Sequence, residues 1–72
     1  MSYSFSAIVE KEGKWFVALC PELDIASQGK TIDNALVNLK EAVTLFLETA
    51  SPRELKKITS SRPLITTLEV TV

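Results

Sequence analysis

The chain contains no histidine. Imidazole is the commonest general base near neutral pH and the commonest transition-metal ligand, so much acid–base and metal chemistry is removed at once. There is a single cysteine, Cys20, which can form no internal disulfide and has no imidazole to activate it. Only two glycines occur, Gly13 and Gly29, and they stand alone, so no phosphate-cradling glycine loop exists. Neither sign of charge dominates: eight basic and nine acidic residues leave a net charge of −1, without the basic footprint of a nucleic-acid binder. The nearest approach is Arg53, Lys56, Lys57 and Arg62, which reads as a solvated face. Long hydrophobic runs are missing as well. The longest, Trp15 to Cys20, is six residues, far short of a bilayer span. The opening "MSYSFSAIVEKEGKW" has neither a basic n-region nor an apolar h-region, so no signal peptide is expected. A soluble cytoplasmic protein without cofactors or membrane contact is the expectation.

What is present is a well-patterned single domain, residues 1–72, with 46% apolar residues. Tyr3 to Glu10 alternates, with Tyr3, Phe5, Ala7 and Val9 on one parity, and predicts a half-buried strand. "KEGK" supplies a hairpin at Gly13. "WFVALC" is apolar on both parities, which predicts a strand either buried on both faces or central in the sheet, with Trp15 and Phe16 in the core. Pro21 ends it, and "DIASQG" gives a short third strand. Thr31 is placed to cap a helix. Ile32, Ala35, Leu36, Leu39, Ala42, Val43, Phe46, Leu47 and Ala50 then recur at three- and four-residue steps, forming one wide stripe. Val37 and Leu45 fall opposite that stripe. Ser51 and Pro52 open a short second helix through Lys57, "TSSRP" reads as a loop, and "LITTLEVTV" alternates to the last residue as a strand. The fold class is α+β, in the order β-β-β-α-β. A three-stranded antiparallel meander carries one long amphipathic helix, and the C-terminal strand is expected to pair in a sheet, within the chain or with another subunit; running parallel to the first strand, it would give the spatial order 3-2-1-4.

Between the second strand and the helix lies "CPELDIASQGKT", with Cys20, Glu22 and Asp24. A thiol without an activator at the end of an apolar strand reads as structural. Glu22 and Asp24, with Glu10 from the first strand, are the one carboxylate set that could hold magnesium for nuclease chemistry. That is the catalytic alternative; a non-catalytic binding protein is the main reading.

The run Val9 to Glu48 resembles the HicB-like antitoxin family. The likeness is carried by Glu12-Gly13, Trp15-Phe16, Pro21-Glu22-Leu23, Gly29-Lys30-Thr31 and Asp33-Asn34-Ala35. It continues along the helix with Asn38, Lys40-Glu41-Ala42, Leu45 and Leu47-Glu48. The resemblance implies a reduced RNase H-like fold. It also implies a non-enzymatic role: neutralising a small HicA-like toxin that cleaves messenger RNA, by occluding its active site. Self-association as a dimer or tetramer is implied too. Many HicB proteins add a C-terminal DNA-binding domain; this chain shows none, so direct nucleic-acid binding is not expected. Glu22, Asp24, Val37, Glu41, Leu45 and Glu48 are the candidate partner-contact residues. A homo-oligomeric scaffold without a toxin is the other non-catalytic alternative.

Overall fold

A computed structural model describes residues 3–60 and 64–72. Three strands, β1 (Ile8–Glu12), β2 (Trp15–Cys20) and β3 (Ile25–Gly29), form an antiparallel sheet in the order β1-β2-β3. They are followed by α1 (Ile32–Thr49) and α2 (Pro52–Ser60). The meander and the long helix are as the periodicity predicts.

The hairpin closes through Gly13 and Lys14, with Glu12 paired to Trp15. Gly13 has φ +61° and Lys14 has no positive φ, the pattern of a two-residue II′ turn. β1 differs from its expected span, starting at Ile8 rather than Tyr3 and running on to Glu12. The reason lies in the register. Ile8 pairs with Leu19, so Pro21 comes opposite Ser6 and offers no N–H to a ladder. Residues 3–7 therefore overrun the end of β2, and the Tyr3 and Phe5 rings stack on each other, their centroids 6.0 Å apart.

α1 begins as the sequence implies. The Thr31 hydroxyl accepts from the Asn34 N–H at 3.0 Å, and the Asn34 side chain accepts in return from the Lys30 N–H at 3.2 Å. This reciprocal arrangement is a variant of the capping box. The helix ends at Ala50, whose N–H donates to Phe46, and the following Ser51–Pro52 pair restarts the chain. Ser51 caps α2 through its hydroxyl, which accepts from the Glu54 N–H. α2 runs to Ser60, beyond the expected end at Lys57, and so takes in the first part of the expected "TSSRP" loop. Residues 61–63 of that loop, with Arg62, lie outside the described residues.

Alternating side chains of the sheet divide it into two faces. Val9, Phe16, Ala18, Cys20 and Ile25 turn toward α1 and meet Ala35, Leu39 and Val43 there. Among the described residues, Ala18, Cys20, Ala35 and Leu39 are the buried apolar ones. The small residues Ala18 and Ala35 let the helix approach the sheet closely. Asn38 ties the two layers further, donating from Nδ2 to the Gln28 carbonyl at 2.8 Å.

The expected C-terminal strand is not part of this sheet. Residues 64–72 belong to no ladder, and Leu64, Leu68, Val70 and Val72 are exposed. Period-two patterning supplies a face; a strand also needs an edge to pair with, and no edge meets the tail here.

Candidate binding surface

The turn Pro21–Asp24, where chemistry was to be sought, is held together by its own side chains. The Glu22 carboxylate accepts from the Ser6 N–H at 2.8 Å and from the Cys20 thiol at 3.6 Å. It thus accepts from a backbone N–H that lies beyond the end of the β1 ladder. Partial burial works to raise the Glu22 pKa, but hydrogen bonds from its own backbone, from Ser6 and from the Cys20 thiol outweigh it and hold the carboxyl below the ordinary glutamate value. A depressed carboxylate stabilises the fold fully above the unfolded value, near pH 4.3, and the contribution is lost as pH falls through the lower folded value. Urea midpoints measured between pH 6 and pH 3 are therefore expected to fall on acidification. Glu22→Gln is expected to flatten that acid limb while the fold is kept. An unchanged limb would mean that Glu22 is not the group responsible.

Cys20 is buried. Burial pushes its thiol up, a backbone hydrogen bond at Leu23 offsets part of the rise, and the neighbouring Glu22 charge adds to it. The thiolate is disfavoured, the opposite of a nucleophile's setting. Asp24 is exposed with φ +54°, a left-handed conformation that aspartate tolerates better than most residues. Its place is accounted for by the turn. Glu10, the third carboxylate of the nuclease alternative, pairs with Val17 on β1 and is separated from this turn. Among the described residues, no group of three or more Cys, Asp or Glu side chains is gathered to hold a metal ion.

The four helical candidates do come together. Val37, Glu41, Leu45 and Glu48 are all exposed along the outer side of α1. Glu22 and Asp24 are not part of that stripe; Glu22 is turned inward to Ser6.

A larger surface lies on the other side of the sheet. α1 covers one sheet face, so among the described residues no helix packs over the alternate residues of β2. Trp15, expected in the core, is 43% exposed beside the hairpin, and Ile8 is 39% exposed. Val17 and Leu19 lie between them, half-buried. The register sets Ile8 beside Leu19, Glu10 beside Val17 and Glu12 beside Trp15. The result is an apolar strip with two carboxylates along its β1 side, completed on β3 by Ala26 and Gln28. None of these sheet positions carries a basic side chain. β2 is central, one of the two readings that "WFVALC" allows; sequence reasoning missed this face by placing Trp15 in the core. The signal was available: a chain with one long apolar helix stripe can cover one sheet face, and the second apolar parity must then remain open.

Fold and surface together define a class: a small α+β protein of one antiparallel sheet backed by one helix, presenting an uncovered apolar and acidic sheet face. A UPF0150 protein of Helicobacter pylori (strain J99 / ATCC 700824) is 33% identical over 66 residues, covering 90% of this chain and 92% of that relative. The chain belongs to the UPF0150 family. No protein-family model and no solved structure matches it. No helix among the described residues is long and apolar enough to cross a membrane.

Proposed function

We propose that this chain is a non-catalytic binding protein of the HicB-like antitoxin type, acting in the cytoplasm on a small HicA-like, RNA-cleaving toxin. The observation that carries the reading is the open sheet face, where Trp15, Val17, Leu19 and Ile8 lie beside Glu10 and Glu12. An apolar centre with a large aromatic anchor is the arrangement from which interfaces draw most of their affinity. Carboxylates along its side steer a basic partner and select against acidic ones. A basic toxin seated there would have its active site covered. The resemblance along Val9 to Glu48 supplies the partner's identity, and kinship with the UPF0150 relative is consistent with it. The reduced RNase H-like fold belongs to the same proposal, since it requires a fourth strand beside β1.

The test is capture of the tagged chain from its native host, followed by affinity measurement on any small basic RNA-cleaving protein retained. Trp15→Ala is expected to weaken binding about thirtyfold or more, the usual size for an aromatic anchor. Glu10→Lys with Glu12→Lys is expected to slow association and reduce its salt dependence. Charge reversal at Glu41 and Glu48 should leave affinity unchanged. If that helix variant loses the toxin and Trp15→Ala does not, the contact lies on α1 instead. If no such toxin is retained, the neutralising role is wrong.

A further inference from the structure

Two parts of this chain each lack what the other provides. The first is the tail. Residues 64–72 alternate Leu64, Thr66, Leu68, Val70 and Val72 against Ile65, Thr67, Glu69 and Thr71, yet pair with no strand and expose their apolar side chains. The second is the β1 side of the folded layer. α1 packs most closely on β3 and only lightly on β1, and Asn38 already occupies the Gln28 carbonyl of β3. Among the described residues, β1 has an outer edge without a partner strand. Beside it, an open, largely apolar groove of about 460 Å³ runs between residues 3–7 and the helix, lined by Tyr3, Phe5, Leu36, Val43 and Leu47.

We infer that a second copy of this chain completes the fold. Residues 64–72 of each chain add as a strand to the β1 edge of the other, with Leu64, Leu68, Val70 and Val72 covering the groove beneath α1. Strand addition pairs the free N–H and C=O groups of an edge, and the alternate side chains fill the adjoining pocket. The exposed area supports exchange between molecules. A compact monomer of 7.9 kDa exposes about 4,400 Å². This chain exposes 6062 Å², an excess of about 1,600 Å² over that value. A standard interface buries about 800 Å² on each partner, so the excess is ample for a stable dimer. The radius of gyration is 14.0 Å, against about 11 Å for a compact chain of this length. The tail therefore projects from its own sheet, in position to reach another molecule. Reciprocal exchange closes as a two-fold dimer and leaves no further edge of this kind open. The open face carrying Trp15 stays accessible, so the inference is independent of the toxin reading.

Light scattering coupled to size exclusion tests it on the full chain at micromolar concentration. The expected mass is twice that of one chain, and Leu68→Lys with Val70→Lys is expected to raise the dissociation constant about a hundredfold or more. Helical circular dichroism should be retained in that variant, because the tail lies off the folded layer. Independently of any variant, a mixture of ¹⁵N-labelled and ¹³C-labelled wild-type chains should show contacts between β1 amides of one label and Leu68 or Val70 methyls of the other. A monomer in which uniformly ¹³C,¹⁵N-labelled chains show those contacts within one molecule would mean that the tail folds back on its own sheet, and would overturn the inference. So would a monomer with no such contacts. A dimer indifferent to the tail substitutions but broken by Trp15→Arg would place the interface on the open sheet face and equally refute tail exchange.

Discussion

Leu39→Ala is expected to destabilise the chain by about 2–4 kcal/mol, the largest loss from any single truncation discussed for this fold. Leu39 is 5% exposed and is the largest side chain of the buried apolar core, whose other members are Ala18, Ala35 and Cys20. It lies in the middle of α1 against β2, so its removal opens a void where the two layers are held together. Leu39 also lines the groove beside β1, and water can enter from that side, which keeps the cost below the upper end of the range seen for leucine truncations. Against a total stability of about 4–11 kcal/mol for a chain of this length, the loss is severe. Thermal melts followed at helical wavelengths should fall by roughly 10–25 °C. Val37→Ala, two positions earlier on the exposed side of the same helix, is expected to change stability by less than about 0.5 kcal/mol. Equal losses at the two positions would mean that the face of α1 turned to the sheet has been misassigned.

Gly29→Ala is expected to cost about 1–3 kcal/mol, although alanine in a strand interior usually improves on glycine by up to about 1 kcal/mol. The sign is decided by space. A Cβ at Gly29 would stand 2.5 Å from the Ala35 backbone nitrogen and 2.8 Å from the Asn34 carbonyl carbon. Both obstacles are backbone atoms of the first turn of α1 and cannot rotate away. Relief requires the helix N-terminus to lift from β3, which strains the Thr31–Asn34 cap and the Asn38–Gln28 hydrogen bond. Gly13 provides the contrast. It has φ +61° and nothing within 4 Å of a built Cβ, so alanine there is opposed by torsion and not by contact. Asparagine, which tolerates the left-handed region, should recover much of the loss at position 13 and none at position 29. Urea titrations of the two pairs separate the causes. If Gly29→Ala proves neutral, the close approach of α1 to β3 is wrong.

The local parts of this protein could be read from its sequence because local restraints decide them. The stripe from Ile32 to Ala50, the cap at Thr31, the turn at Gly13 and the restart at Ser51–Pro52 each depend on residues within about a turn of one another. Other features depend on what comes opposite, and periodicity carries no such information. β1 begins at Ile8 because the register brings Pro21 beside Ser6. Glu22 is committed to a backbone N–H sixteen residues away, a partner that no spacing rule names. The same limit applies to the surface. "WFVALC" declares two apolar parities, but only the packing of a single helix on one side leaves Trp15, Val17 and Leu19 as the open face. The tail is the clearest division between the two kinds of information. Its alternation is a property of the residues themselves and makes it a strand in waiting. Where it pairs depends on which sheet edge is free within reach, and a free edge exists only once the sheet has formed.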